Sequence, residues 1–313
     1  MVTIPVTVIG GFLGAGKTTL VNHILSGDHG LKVAVMVNDF GAVNIDAALI
    51  TSKEGDLYSL SNGCVCCGMN QGLVEQLEEL LAARADIEHI VIEASGVADP
   101  ARIMDTVRYA RFAGRLRGDA IVVVADAAGF DDAIAAAPGL AEAQIGSADL
   151  LILNKTDLVS RAALDAWRAR WVFPDTRIVE TQDARVPFDI LFAGEIFPRA
   201  IASPFSATPV HEQAESTTWR HDGPIDAKRL HAALAALPTG IFRAKGFVEA
   251  SDGRVFTVHV VGTRVSFEPA ARVPENLGEK NLVVLIGFGR NLPFEKLLAD
   301  LDACAERGQP GAA

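Results

Sequence analysis

The sequence predicts an α/β protein in which a doubly wound, mostly parallel sheet is followed by a small α+β domain. Three observations predict this fold: apolar runs that do not alternate with polar residues, helical patterns between those runs, and a change of pattern after about residue 185. With 313 residues, the chain is long enough to form two domains.

The first part of the chain, residues 1–193, contains five short runs that are apolar throughout, as in strands that are covered on both faces. Helical patterns separate these runs, for example Thr18–Ser26 and Gly72–Arg84, and the leucines of the second recur on one face. This alternation is typical of a parallel sheet with helices on both sides. The predicted strands are Val6–Ile9, Val33–Val37, Ile90–Ile92, Ala120–Ala125 and Leu150–Leu153.

Residues 194–216 are predicted to be a linker, because this stretch contains three prolines and polar residues without a clear period. Residues 217–313 are predicted to form a second, smaller domain, because several strands and two helices follow one another in a short length. The strands are predicted at Thr217–Arg220, Ile241–Ala250, Val255–Val261, Arg264–Phe267 and Leu282–Ile286, and the helices at Asp226–Ala236 and Pro293–Ala305.

The charge balance is acidic, with 39 Asp and Glu against 28 Lys and Arg and a formal net charge of −11. Such a chain has no general attraction for nucleic acid or for anionic lipid surfaces. The N-terminal apolar stretch has no preceding Lys or Arg, and no apolar run is long enough to span a bilayer, so neither a signal peptide nor a membrane span is expected. The prediction is a cytoplasmic protein without nucleic-acid or membrane partners.

The segment GFLGAGKT, from Gly11 to Thr18, has the P-loop spacing and lies between a predicted strand and a predicted helix. Backbone N–H groups of such a loop converge on phosphate oxygens, whereas a glycine-rich turn without a ligand is the alternative. We expect Lys17 to reach the β- and γ-phosphates as a catalytic residue and the Thr18 hydroxyl to ligate Mg²⁺. The nucleotide-binding residues predicted here are Gly11, Gly14, Ala15, Gly16, Lys17, Thr18 and Thr19.

A second nucleotide motif, Asn-Lys-X-Asp, follows the predicted strand Leu150–Leu153 and consists of Asn154, Lys155 and Asp157. Ligands of open α/β sheets bind at the carboxyl ends of the strands. A carboxylate there can accept hydrogen bonds from N1–H and the exocyclic amine of guanine, and adenine has no such pair of donors. The motif therefore favours GTP over ATP.

Two acidic residues at predicted strand ends, Asp39 and Glu93, are candidates for the catalytic centre. We assign Glu93 to the Mg²⁺ shell and the Gly96 N–H to the γ-phosphate, while Asp39 would hold Mg²⁺ or position the attacking water. The alternative for both carboxylates is that they only cap the following helix. Asp126 is interpreted as a structural cap or loop residue.

Three cysteines crowd into Cys64, Cys66 and Cys67, just before the predicted helix Gly72–Arg84. Three thiolates suit Zn²⁺, Cu⁺ or Co²⁺ and do not suit Mg²⁺ or Ca²⁺, and three protein ligands leave one position of a zinc site open for exchange. Asp39, a histidine or water could be the fourth ligand. Buried free thiols and a redox group are the alternatives.

These motifs together resemble the CobW/HypB/UreG family of metal-linked P-loop GTPases, most closely its CobW-like branch. The matching stretches are GGFLGAGKTTL, VNDFG, NGCVCC, VIEASGVADP, LNKTD and, near the end of the chain, IFRAKGFV and LVVLIGFGRNL. The resemblance implies GTP hydrolysis with low intrinsic turnover, a transition-metal site at Cys64, Cys66 and Cys67, and delivery of the metal, often zinc, to a client metalloprotein.

The partners that the resemblance implies are GTP or GDP, the client and, as a further candidate, a second copy of the chain. The sequence departs from many relatives in lacking a histidine-rich stretch between the domains. It also carries Asp39 and Ala42 where some relatives have glutamates, so its metal site would depend more on the thiolates.

Two other functions are weighed against the metallochaperone. One is a nucleotide-switched adaptor, or metalloenzyme activator, in which the metal at the cysteines is only structural. The other is an ATP-dependent small-molecule kinase, which also uses a P-loop. The Asn-Lys-X-Asp motif argues against the kinase.

Overall fold

The computed structural model describes residues 3–37, 57–59, 71–192, 214–270, 281–288 and 291–305. Asp39 and the three clustered cysteines lie outside these ranges. The chain divides into two compact units, Met1–Val186 and Pro187–Ala313, and each is described by itself. Within the described ranges, no helix has both the length and the apolar character that crossing a membrane requires.

The residues described in the first unit form a parallel sheet of seven strands. The strands are β1 Ile4–Gly10, β2 Val33–Val37, β3 Leu57–Ser59, β4 His89–Glu93, β5 Leu116–Asp126, β6 Leu150–Asn154 and β7 Ile178–Glu180. Their order across the sheet is β3-β2-β4-β1-β5-β6-β7, and every pair is parallel. The prediction of a doubly wound parallel sheet is confirmed, and each of the five predicted strands lies within an observed one.

The described part of the first unit contains six helices that flank this sheet, and all but the first of them contribute buried side chains to one hydrophobic core cluster. Helix α3 starts where Pro100 follows Asp99, whose carboxylate accepts a hydrogen bond from Ala101 N at 3.0 Å, and Ser160 caps α6 in the same way. Of the leucines predicted to face inward from α2, Leu73, Leu77 and Leu80 are buried and Leu81 is partly buried. The helices are α1 Lys17–Ser26, α2 Gln71–Ala83, α3 Pro100–Val107, α4 Phe130–Ala136, α5 Pro138–Gly146 and α6 Arg161–Trp171.

The strand order brings the ends of four central strands together at one edge of the sheet. Strand β1 lies between β4 and β5, and β6 pairs with the other side of β5. As a result Gly10, Glu93, Asp126 and Asn154, each the last residue of its strand, lie at the same edge. In open α/β sheets, this edge is where ligands bind.

Strand β5 is longer than predicted, because it begins at Leu116 and the prediction began at Ala120. The register with β1 shifts beside Thr7, and Asp119 lies in this irregular stretch. The side chain of Arg117 pairs with Asp119 at 3.1 Å, where Asp119 is buried and Arg117 is partly buried. In a sequence, charged residues usually indicate an exposed segment, and the start of this strand was not predicted for this reason.

In the described part of the second unit, five strands form an antiparallel sheet in the order β11-β10-β9-β12-β8, and two helices follow β8 and β12 in the chain. Its core includes Trp219 and Leu301, and the Trp219 indole also donates to Asp302 Oδ1 at 2.8 Å. The predicted α+β class is confirmed. The strands are β8 Ala214–His221, β9 Ile241–Glu249, β10 Val255–Val261, β11 Arg264–Ala270 and β12 Asn281–Phe288, and the helices are α7 Ala227–Ala235 and α8 Phe294–Asp302.

Candidate nucleotide-binding site

The predicted phosphate loop connects β1 to α1 and has a backbone that requires glycine. Gly11, Gly14 and Gly16 have φ angles of 130°, 74° and 108°, which residues with a side chain rarely adopt. A Cβ on Gly11 would lie 2.1 Å from the Val124 carbonyl oxygen, and one on Gly16 would lie 2.4 Å from Asn154 Nδ2. The loop is thus held against the ends of β5 and β6, and it cannot accept a side chain at either position.

The side chains at the start of α1 differ in exposure. Lys17 is only 7% exposed, and its Nζ donates a hydrogen bond to the Phe12 carbonyl at 3.1 Å, so the ammonium group contacts the loop's own backbone. Ala15 is buried, Thr18 is partly exposed and Thr19 is exposed.

Thr18 and Glu93 meet although 75 residues separate them in the sequence. The Thr18 hydroxyl donates to Glu93 Oε1 at 3.0 Å, and the Glu93 side chain is 2% exposed. Two ligands in adjacent positions of an octahedral Mg²⁺ site, each about 2.0–2.1 Å from the ion, lie about 2.9 Å apart. A hydroxyl and a carboxylate oxygen at this spacing therefore fit the donor set and geometry that Mg²⁺ requires.

The turn Ser95–Ala98 follows β4 and lies against the phosphate loop. The turn is closed by a hydrogen bond from Ala98 N to Ser95 O at 2.9 Å. A Cβ added to Gly96 would lie 2.8 Å from Leu13 N. The Gly96 backbone thus lies close to the loop Gly11–Thr18.

Asn154 connects the phosphate loop to a further loop. Its amide Nδ2 donates to Ala15 O at 3.0 Å, and its Oδ1 accepts from Ala184 N at 2.8 Å. The side chain is 3% exposed. A single amide therefore links two predicted nucleotide motifs directly and fixes the end of β6 relative to both loops.

Lys155 has a left-handed backbone, with φ 60°, and its Nζ pairs with Asp126 Oδ2 at 2.6 Å. The other Asp126 oxygen accepts from Ala128 N at 2.9 Å and Gly129 N at 3.1 Å. Through Oδ1, Asp126 therefore binds the backbone of the loop that follows it, as expected of the predicted structural cap or loop residue. Its pairing with Lys155 was not predicted.

Asp157 lies in the short 3₁₀ turn Thr156–Leu158, and its side chain is exposed. The neighbouring Thr156 anchors the turn by donating from its hydroxyl to Thr181 O at 3.1 Å. Among the described residues, no side chain or backbone group is hydrogen-bonded or ion-paired to the Asp157 carboxylate.

Residues 181–185, which follow β7, were missed at the sequence level. Asp183 and Ala184 have φ angles of 52° and 50°, and the Thr181 hydroxyl donates to Arg185 O at 2.8 Å, which closes the loop. The signal available in the sequence was the polar run that follows the apolar segment of β7. Aspartate is enriched among non-glycine residues with positive φ, so Asp183 was a weak local signal, whereas Ala184 gave none.

The predicted transition-metal ligands Cys64, Cys66 and Cys67 and the predicted Asp39 lie outside the described residues. In the ranges that are described, no group of three or more His, Cys, Asp or Glu side chains is arranged to hold a metal ion. Cys304, which follows α8, is a buried free thiol of the second core, and burial raises its pKa.

Two family profiles match most of the chain. The profile "CobW/HypB/UreG, nucleotide-binding domain" matches residues 5–173, and the profile "Cobalamin synthesis protein cobW C-terminal domain" matches residues 214–305. The first range covers the parallel sheet except for β7 and the first residue of β1, and the second range contains all the strands of the antiparallel sheet.

Three curated proteins are similar to this chain. The zinc chaperone YjiA of Escherichia coli is 37% identical over 164 residues, which cover 51% of each chain. The zinc chaperone CobW of Pseudomonas aeruginosa is 34% identical over 224 residues, 60% of this chain and 59% of the relative. The zinc-regulated GTPase metalloprotein activator 1 of Dictyostelium discoideum is 29% identical over 298 residues, 78% of this chain and 62% of the relative. The chain thus spans between 51% and 62% of the length of these relatives.

Proposed function

The chain belongs to the CobW/HypB/UreG family, and from this premise we propose that it is a GTP-hydrolysing metallochaperone. It would bind zinc through Cys64, Cys66 and Cys67 and deliver the metal to a client metalloprotein. One observation supports nucleotide binding: the phosphate loop and the Asn-Lys-X-Asp motif meet at one sheet edge, where Asn154 Nδ2 donates a hydrogen bond to Ala15 O at 3.0 Å.

The phosphate part of the site is assigned to the loop Gly11–Thr18. Its backbone N–H groups and the N-terminus of α1 would hold the triphosphate, and the Lys17 ammonium would move from the Phe12 carbonyl to the β- and γ-phosphates. Thr18 and Glu93 would hold Mg²⁺, which when bound offsets negative charge on the phosphate oxygens. The Gly96 N–H would donate to the γ-phosphate.

The base part of the site is assigned to Asp157, whose exposed carboxylate would accept hydrogen bonds from guanine N1–H and the exocyclic amine. The pairing of Lys155 with Asp126 at 2.6 Å would hold the lysine stem beside the base. Asn154 would keep the base-binding and phosphate-binding loops at a fixed separation. Asp39 remains the candidate residue for holding Mg²⁺ or for positioning the attacking water.

Zinc is the proposed cargo. In the sequence, Cys64–Cys67 lies between Asp39 and Glu93, both of which are assigned to the nucleotide site. GTP binding would order the segments around the cysteines and change their geometry, so that metal affinity depends on the nucleotide. Linkage then requires that the metal change GTP affinity by the same factor. Co²⁺ suits the same thiolates. The zinc-chaperone names of YjiA and CobW support the choice of zinc.

The remaining parts of the proposal concern organisation and partners. We propose a GTPase domain over residues 1–193 and a C-terminal α+β domain that begins with β8 at Ala214, so that the linker predicted over 194–216 ends before this strand and not at the start of 217–313. The protein would act in the cytoplasm on a client metalloprotein, with GTP and GDP as its nucleotide ligands and a second copy of itself as a candidate partner.

Metal analysis and nucleotide turnover on the purified full chain test the proposal. Wild type is expected to bind about one Zn²⁺ and to hydrolyse GTP, whereas Cys66→Ser loses the zinc and Cys304→Ala, which removes a thiol outside the motif, keeps it. Zinc uptake by Cys66→Ser at the wild-type level would overturn the metal site. Equal affinity for a GTP analogue with and without Zn²⁺ would overturn the coupling. If Cys66→Ser lowers folding stability and leaves metal transfer to an acceptor unchanged, the metal is structural.

A further inference from the structure

Gln144 on α5 makes a buried contact with the turn Ser95–Ala98. Its side chain is 2% exposed, and its Nε2 donates to Ala98 O at 2.8 Å and to Gly96 O at 3.3 Å. A carbonyl oxygen can only accept, so the amide must present its NH₂ group to both oxygens. The orientation of the Gln144 side chain is therefore determined by the turn.

The same turn contacts the phosphate loop on its other side. Gly96 lies so close to Leu13 that an added Cβ would be 2.8 Å from Leu13 N and 2.6 Å from Leu13 Cδ2. Gln144 and Leu13 also line one small pocket together with Gly11 and Phe12. The turn is thus held between the phosphate loop and α5, and Gln144 is the side chain that attaches it to α5.

We infer that Gln144 is a positioning residue that holds the turn so that the Gly96 N–H meets the γ-phosphate of bound GTP. The inference rests on the proposed function, because it takes the loop Gly11–Thr18 to bind a nucleoside triphosphate. Gln144 itself touches neither nucleotide nor metal in this account. It acts through the two carbonyl groups that it holds.

The physical reason is preorganisation. When Gln144 holds the carbonyls of Gly96 and Ala98, the turn is ordered before GTP arrives. Without these two hydrogen bonds the turn must be ordered on binding, and the cost of ordering reduces affinity. GDP lacks the phosphate that Gly96 would contact, so the loss of these hydrogen bonds reduces the affinity for GTP and not the affinity for GDP. A purely structural role would instead lower fold stability and affect both nucleotides equally.

The test compares affinities of the full chain for GDP and for a non-hydrolysable GTP analogue, both with Mg²⁺. Gln144→Leu keeps the approximate volume and removes the donors, and Gln144→Glu keeps the shape and places a carboxylate against two carbonyl oxygens. Glu142→Gln, an exposed position on the same helix, is the matched control. Thermal unfolding without nucleotide reports whether each variant is folded, and Gln144→Glu replaces Gln144→Leu if the latter does not fold.

The expected result is that affinity for the GTP analogue falls about tenfold, equivalent to about 1.4 kcal/mol, while affinity for GDP changes less than about twofold. Glu142→Gln should match wild type for both nucleotides. Equal losses for GDP and the analogue, or no loss for either, would overturn the role of Gln144 and leave the nucleotide site intact. Failure of wild type itself to bind guanine nucleotides would overturn the proposed function instead.

Discussion

The hydroxyl of Thr18 donates a hydrogen bond to Oε1 of Glu93 over 3.0 Å, which joins the first turn of α1 to the end of β4. The contact brings a hydroxyl oxygen and a carboxyl oxygen together, and the carboxyl group is buried at the sheet edge. The pair is the structural basis for assigning Mg²⁺ to this position. It can be tested by removing the charge without removing the side chain.

Glu93→Gln is expected to weaken Mg²⁺-dependent binding of a GTP analogue by about 10- to 100-fold, because the amide keeps the size of the carboxylate but is a poor ligand for Mg²⁺. Binding measured without Mg²⁺ should change little. Titrations with and without the metal give both values. Glu79→Gln, the same change at an exposed position on α2, is the control. Unaltered Mg²⁺ dependence in Glu93→Gln would remove Glu93 from the metal site.

Asn154→Ala is expected to weaken GDP and GTP binding together. The substitution leaves Ala15 O and Ala184 N without their partner, so both loops lose their attachment to β6. Each buried group that loses its hydrogen bond costs about 1–3 kcal/mol, so the free energy of unfolding should fall by a similar amount. Chemical unfolding and nucleotide titration measure the two effects. A variant that lost affinity for GTP and kept affinity for GDP would contradict this role.

Gly11→Ala is expected to destabilise the protein by about 2–4 kcal/mol, because the new Cβ would approach Val124 O and the backbone would have to leave φ 130°. Gly139→Ala is the matched control, since its Cβ would meet no atom within 4 Å and it lies in α5. There the change should be neutral or stabilise by up to about 1 kcal/mol. If the unfolding curves of the two variants coincide, the loop tolerates a side chain at position 11 and the prediction is wrong.

The stability of the protein is expected to decrease as pH falls below about 6.5, partly through His23. Burial lowers the pKa of His23, which contacts Val186 O at 2.9 Å, so the folded state binds this proton less readily than the unfolded chain. The stabilisation is fully present above the unfolded pKa and is lost as pH falls toward the lowered pKa. His23→Gln, which cannot titrate, should show a weaker fall of Tm between pH 7 and pH 5. Parallel curves for wild type and variant would exclude His23.

The strands of the first unit were predictable because a parallel sheet with helices on both faces leaves apolar runs without alternation. Val33–Val37 was predicted with its observed bounds for this reason. The strands Leu57–Ser59 and Ile178–Glu180 were not predicted, since three residues are too few to show a period. The segment that contains Arg117 and Asp119 was missed because its charges pair with each other inside the fold.

The candidate site was predictable where its chemistry is local in sequence. The glycine spacing around Gly11–Gly16 and the motif at Asn154 required no knowledge of the fold. Gln144 was not predictable, because its partners lie 46 and 48 residues away and an isolated glutamine on a helix has no pattern. The pairing of Asp126 with Lys155 was missed for the same reason, with 29 residues between them.

The carboxylate of Asp157 tests the central claim most directly, because guanine recognition depends on it. The measurement is the affinity of wild type and Asp157→Asn for Mg·GTP and Mg·ATP, with Asp165→Asn, an exposed position on α6, as control. Wild type is predicted to prefer GTP by about 10⁴-fold, and Asp157→Asn is predicted to lose most of that preference while Asp165→Asn keeps it. Equal wild-type affinity for GTP and ATP, or an unchanged preference in Asp157→Asn, would contradict the account.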